Sequence, residues 1–356
     1  MQSELRESLV KLLDAKGPSG FETAASAVWR EIAGEFAADI WGDVHGNSFA
    51  SINAEGAPTV MLAGHIDEIG LMIHHIDDDG FLYVRAVGGW DPQVLVGQRV
   101  EILAADSTVD GVVGRRAVHL MPREDMSKAV KLKELWVDIG AEDGEQARSR
   151  VAVGDVAVVR SDTLELSGGT VAARSIDDRA GAVVALEALR RARQAGCSAR
   201  VVAAATVQEE IGYAASGGAR TGSYGLAPDV GIVIDVTHAT DHPCVDKKEH
   251  GDVKLGEGPV LARGAAINPV VYGHLVAAAE AEGIEVQVQA LPAMTGTDAD
   301  AIRLSGSGVA TAIVSIPNRY MHSPNQIVSY ADLDQCASLI AAFLCRLTGD
   351  DSFLPM

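Results

Sequence analysis

The sequence predicts an α/β fold in which a mostly parallel sheet, flanked by helices, is interrupted by a small inserted β-barrel. Three observations carry this. Short apolar runs such as PTVMLAG (58–64), VVAAATV (201–207), GIVI (231–234) and TAIVSI (311–316) have the length and composition of buried strands. After residue 169 such runs alternate with helical patterns, which specifies parallel strands covered on both faces. Between residues 69 and 164 the texture changes to short strand-like runs separated by turns, as in a small barrel or sandwich.

In chain order, residues 2–16 carry a helical apolar period through Leu5, Leu9, Leu12 and Leu13. GPSGFE (17–22) is a turn, and 22–35 resume a helical pattern. Residues 39–53 alternate like strands around turns at Gly42 and Gly46. The apolar run 58–64 ends in His65-Ile66-Asp67-Glu68. Six runs follow, GLMIHHID, FLYVRAV, QRVEILA, GVVGRR, LWVDIG and DVAVVR, with no long helix among them. Because α/β texture resumes afterwards, 69–164 is expected to be an insertion, leaving 1–68 and 165–356 as one discontinuous unit. Residues 175–195 form a strong helix, with Ser175 or Asp177 as its cap, acids at its start and arginines near its end, matching the helix dipole. The next strand, 201–207, stops on Gln208, Glu209 and Glu210. Strand 231–234 ends in Asp235. A helix over 268–282, a strand over 286–290, a helix starting in TDADAIRL (297–304), strand 311–316 and a closing helix over 333–347 complete the chain, with His322 six residues past the last strand.

Composition excludes several function classes. The chain has 356 residues, with 29 Lys and Arg against 49 Asp and Glu, a net charge of −20. Such a surface repels nucleic acid and anionic membranes. No run approaches the roughly 20 apolar residues of a membrane span. The beginning of the sequence lacks the basic start and apolar core of a signal peptide. Four scattered cysteines form no CxxC pair, which argues against both disulfides and a thiolate zinc site and points to a reducing cytoplasm. One segment runs against the overall charge. Arg115, Arg116, Arg123, Lys128, Lys131 and Lys133 form a basic stretch in the insertion, either a solvated face or a contact with an acidic partner subunit.

The chemistry concentrates at the ends of the apolar strands. His65, Asp67, Glu209, Glu210 and Asp235 follow them directly, His322 lies a little further on, and Asp177 sits at the start of a helix. In open α/β sheets ligands bind beyond the carboxyl ends of the strands, so these residues converge on one edge. Imidazole plus carboxylate without thiolate is the donor set of a divalent metal site. Two histidines and three carboxylates, one of them bridging, suffice for two ions with a position left for water, so one carboxylate of the Glu pair can bind metal while the other acts as general base. Adjacency alone does not say which does what. In His65-x-Asp67 both side chains share one face of an extended segment, so Asp67 can steer the imidazole.

GHIDEIGLM (64–72), SIDDRAG (175–181), VQEEIGYA (207–214), IDV (234–236), GTDADAI (296–302) and RYMHSPNQ (319–326) together resemble the M42 family of dinuclear metallo-aminopeptidases. The resemblance implies a dinuclear-zinc exopeptidase-like sheet interrupted by a β-barrel that mediates dimerisation. It implies that His65 and Asp235 hold one metal, Glu210 and His322 the other, and that Asp177 bridges. Glu209 then corresponds to the general base and Asp67 to the residue steering His65, and Asp298 is a candidate for placing the substrate. The implied cofactors are two zinc or cobalt ions per subunit. The implied partners are peptides with a free N-terminus and further copies of the chain, in a homododecamer. Arg263, Lys247, Lys248 and Lys254 are candidate cations for favouring acidic N-terminal residues. Two alternatives stay open: hydrolysis of another amide or cleavage from the C-terminus on the same fold, and an inactive assembly protein.

Overall fold

The structure, a computed structural model, describes residues 2–105, 107–212 and 217–356, so Tyr213 and Ala214 of the VQEEIGYA motif lie outside the described residues. An eight-stranded sheet forms the centre, in the order Asp39–Gly42, Ser48–Ile52, Arg200–Thr206, Thr59–His65, Val230–His238, Ala310–Asn318, Val260–Gly264, Gln287–Leu291. Its four middle strands, Arg200–Thr206 to Ala310–Asn318, run parallel. An antiparallel hairpin closes one side. On the other side Val260–Gly264 reverses against Ala310–Asn318 before pairing in parallel with the last strand.

The middle strands are buried along almost their whole length, so their apolar runs need no alternation. The helix Ile176–Ala195 packs across them, and the helices Tyr330–Arg346 and Gln2–Asp14 pack on it in turn. Small residues set how closely it lies. A methyl on Gly64 would sit 2.5 Å from the Ala182 nitrogen, so only glycine lets helix and strand backbones meet there. That approach brings the helix start beside His65, the last residue of its strand.

All six runs of the insertion are strands. They close into a barrel in the order Gly70–Ile76, Leu82–Val87, Leu135–Asp138, Thr108–Arg115, Arg99–Leu103, Val156–Val159. The barrel has its own apolar core, which includes Leu71, Val100, Val137 and Val159. Closure leaves no sheet edge to be covered.

Several local expectations change. The helix 175–195 is capped by neither Ser175 nor Asp177. Ser175 is left-handed at φ 54° without a capping bond, and Asp177 and Asp178 are non-helical. The capping carboxylate is Asp178, which accepts the Gly181 N–H at 3.0 Å and leaves Asp177 free to face the sheet edge. Asp235 does not end its strand, because pairing with Ala310–Asn318 continues to His238. The helix expected to start within 297–304 is a single turn, Ala299–Ile302. Elements not anticipated include the helices Gly144–Arg150, Gly218–Leu226 and the short Lys247–His250, the strand Val260–Gly264, and a three-stranded sheet of Leu164–Leu166, Thr170–Ala173 and Gln326–Ser329. Among the described residues no helix is long and apolar enough to cross a membrane.

Candidate metal centre

The site forms where parallel register brings His65 beside Thr206. Past these strand ends the chain turns sharply. Gln208 is left-handed at φ 61°, which swings Glu209 and Glu210 back over the sheet edge. Tyr320 (φ 62°) and His322 (φ 57°) do the same beyond strand Ala310–Asn318. Left-handed residues other than glycine cost energy, and their concentration around one edge marks it as a place where geometry outranks stability.

His65, Asp177 and Asp235 are buried and bring ligand atoms within 4.8 Å of one another; Asp177, Glu210 and His322 do the same, so Asp177 belongs to both groups. Nε2 of His65 lies 3.0 Å from Asp177 Oδ1, and Nε2 of His322 lies 3.4 Å from Asp177 Oδ2 and 3.3 Å from Glu210 Oε2. Glu209 belongs to neither group, and its Oε2 stands 3.9 Å from His65 Nε2.

Asp67 is fully buried and orders both sides of the edge. One carboxylate oxygen faces His65 Nδ1 at 3.3 Å. The same carboxylate accepts the backbone N–H groups of Glu209 at 3.2 Å and Glu210 at 3.1 Å. Asp298 joins the site from the one-turn helix, where its Oδ2 accepts the Thr206 hydroxyl at 2.5 Å. Thus His65, Asp67, Asp177, Glu209, Glu210, Asp235, Asp298 and His322 all meet at one edge.

Sequence reading missed three supports. Asp178 accepts the His65 backbone N–H at 3.1 Å, Gln326 accepts that of Asp177 at 3.0 Å, and Glu68 pairs with Arg174 and Arg179 just beneath. Asp178 and Glu68 each stand beside a residue that had been singled out, but nothing local distinguishes a support from a solvated neighbour.

The electrostatics call for cations. Burial pushes the Glu209 carboxyl up to about 10, with Asp235, Asp298 and Glu210 adding to the effect. Burial and the Asp177 charge raise Glu210 as well. Burial also raises Asp235 well above the usual carboxylate range. Hydrogen bonds to Asp177 and Glu210 push His322 up to about 11. Glu210 Oε1 is buried with no hydrogen-bond partner among the described residues. Carboxylates held together this tightly without a matching positive charge, in a nitrogen and oxygen donor set, fit divalent ions.

Two cavities open on the edge. One of about 530 Å³ is lined by Glu209, Glu210, Met294, Asp298 and Asp300 among others. The other, of about 330 Å³, holds His65, Asp177 and Asp235, with Leu291, Ile313 and Met321 supplying apolar wall. Among the described residues neither is lined by Lys or Arg, so Arg263, Lys247, Lys248 and Lys254 lie outside both. Lys247 pairs with Asp252 at 2.6 Å, and the Arg263 guanidinium lies over the Tyr272 ring.

Comparisons with known proteins give the chain's family and fold. A family model described as M42 glutamyl aminopeptidase matches residues 46–339. A lysyl aminopeptidase of Pyrococcus furiosus is 34% identical over 348 residues, covering 96% of this chain and 97% of that one. Among solved structures, a TET aminopeptidase from a marine sediment archaeon of the Thaumarchaeota superposes with a TM-score of 0.91 at 30% identity, covering 97% of both chains. A Pyrococcus horikoshii TET peptidase, described as assembling into a tetrahedron or a large octahedral shell, superposes at 0.84 with 31% identity, covering 96% of this chain and all of that one.

Proposed function

The chain belongs to the M42 family and is a metal-dependent aminopeptidase, and on that premise we propose a dinuclear mechanism centred on Glu209. The observation that carries it is the pair of ligand groups sharing Asp177, with the uncommitted Glu209 beside them. His65, Asp177 and Asp235 would hold one divalent ion, and Asp177, Glu210 and His322 a second; zinc or cobalt suits the donors. Two ions bound there would polarise the scissile carbonyl, acidify the attacking water and stabilise the developing oxyanion. Glu209 takes the proton from that water and delivers it to the leaving amine. Asp67 holds the imidazole of His65 and fixes the Glu209 and Glu210 backbone, so base and ligands keep their relative positions. Asp298 faces the larger cavity with an acidic side chain suited to the substrate's free ammonium.

The absence of Lys and Arg among the described residues of both cavity walls favours neutral or cationic N-terminal side chains over acidic ones. A panel of aminoacyl p-nitroanilides, run with zinc, cobalt or manganese after chelation, tests the whole reading. Lysyl and leucyl substrates are expected to exceed the glutamyl one by tenfold or more, and N-acetylated substrates to be inert. A glutamyl preference would overturn the specificity, and cleavage of blocked substrates would overturn the requirement for a free amine.

For the assembly, the proposal is a homododecamer of cytoplasmic subunits, joined through the barrel of residues 69–164, with 1–68 and 165–356 as the catalytic unit. A cleft of about 480 Å³ on the barrel supports it, lined by Arg115, Arg116, Lys128, Lys131 and Lys133 against only Asp125 and Glu134. In a chain of charge −20 that is the surface best matched to another copy. The double variant Arg115→Glu/Lys133→Glu should shift the particle to smaller species in light scattering, and an unchanged mass would remove this cleft from the interface.

A further inference from the structure

The two ligand groups differ in what supports them. The group of His65, Asp177 and Asp235 is built wholly on the central sheet and its packed helix. The group of Asp177, Glu210 and His322 meets the inserted barrel, through the turn between strands Leu82–Val87 and Arg99–Leu103. A methyl on Gly89 would lie 3.1 Å from Nδ1 and 3.3 Å from Cε1 of His322. A methyl on Gly88 would lie 3.4 Å from the Glu210 Cβ. Trp90 pins this turn to the barrel wall by donating its indole N–H to the Gly70 carbonyl at 2.9 Å.

The two imidazoles are also held differently. His65 is 2% exposed, and an Asp67 carboxylate oxygen stands 3.3 Å from its second nitrogen, an electrostatic approach without hydrogen-bond geometry. His322 has 36% of its side chain exposed, and among the described residues its carboxylate contacts, to Asp177 and Glu210, are both made through Nε2 and none through Nδ1. A ligating histidine usually has its far nitrogen fixed by a hydrogen bond. Where that bond is missing, packing has to set the ring, and Gly89, so near that an added methyl would crowd the imidazole, lines the same cavity as His322.

We propose that the Gly88–Gly89 turn of the barrel positions His322, so that the ion held by Asp177, Glu210 and His322 depends on the seating of the barrel and the ion held by His65, Asp177 and Asp235 does not. The proposal rests on the dinuclear reading given above. Gly89 is a positioning residue: it acts through the ring it abuts. A methyl there would be tighter against the ring than ordinary contact, so the imidazole that faces Glu210 and Asp177 would have to shift by a few tenths of an ångström.

The test is calorimetric titration of the chelated protein with cobalt alone, independent of turnover. Wild type is expected to take up two equivalents. Gly89→Ala should keep one at unchanged affinity and bind the other 10- to 100-fold more weakly, about the range seen when the support of a ligand is lost. Gly273→Ala, where an added methyl meets nothing within 4 Å, should match wild type. Two unchanged sites in Gly89→Ala, or equal weakening of both, would overturn the proposal and leave the dinuclear reading standing. Fewer than two equivalents in wild type would overturn both. If Gly89→Ala does not fold, Trp90→Phe, which only unpins the turn, should weaken the same single site, and two wild-type affinities in that variant would overturn the proposal.

Discussion

Glu209→Gln should retain the fold and two equivalents of metal while losing about 10²–10⁴-fold in kcat, the usual weight of a general base. The substitution conserves volume and removes only the capacity to take up a proton. Metal content should hold because Glu209 stands outside both ligand groups. Its backbone should stay in place because the anchoring bond from its N–H to Asp67 does not involve its side chain. KM should change little, since the lost interaction belongs to proton transfer and not to binding. Elemental analysis and steady-state kinetics on one preparation decide the matter. Full turnover would remove Glu209 from the mechanism, and loss of an ion would make it a ligand.

Glu68→Ala should cost about 3–5 kcal/mol of stability, the range for stripping the partner from a buried charge. Glu68 is 2% exposed, and the side chains it serves are 0% exposed for Arg179 and 9% for Arg174. One of its oxygens accepts from Arg179 at 2.8 Å and from the Gly17 backbone at 3.0 Å, and the other binds Arg174. Burial lowers the Arg179 pKa only to about 10, so the guanidinium stays charged at neutral pH and would be left without its carboxylate. Carbonyls of Leu12 and Ala15 satisfy part of the donors and cannot supply the charge. Urea denaturation should show a lower midpoint at an unchanged slope. A loss below about 1 kcal/mol would place the triad among ordinary surface ion pairs.

Much of the fold was legible because burial writes directly into composition. Val201 to Ala205 are apolar throughout, since both faces of their strand are covered. The barrel strands were readable from their turns. Gly218–Leu226 was not, because three glycines in GARTGSYGL oppose a helix and only packing overrides them; a methyl on Gly222 would already crowd the Phe49 ring. At the candidate site, His65, Glu209, Glu210 and Asp235, which the structure brings to one edge, were visible as polar stops on apolar runs. The part played by Asp67 in ordering the Glu pair was only half visible. Its facing of His65 follows from a spacing of two, whereas its bonds to Glu209 and Glu210 span more than 140 positions and depend on two strands lying side by side. The order of the sheet strands is likewise a property of tertiary pairing that no local run encodes.

The barrel enters and leaves the chain at neighbouring points, for Leu71 and Ala157 are paired across its first and last strands. Paired residues on antiparallel strands lie only about 5 Å apart. In modular terms, the part of the chain that builds the eight-stranded sheet therefore offers a socket that a short linker could close or that another insert could occupy without stretching the chain. Connectivity would permit such an exchange far more readily than chemistry would. A foreign insert would close the chain and still leave His322 without Gly89 beside its ring, so the part of the molecule that looks most exchangeable lines one side of the candidate metal centre.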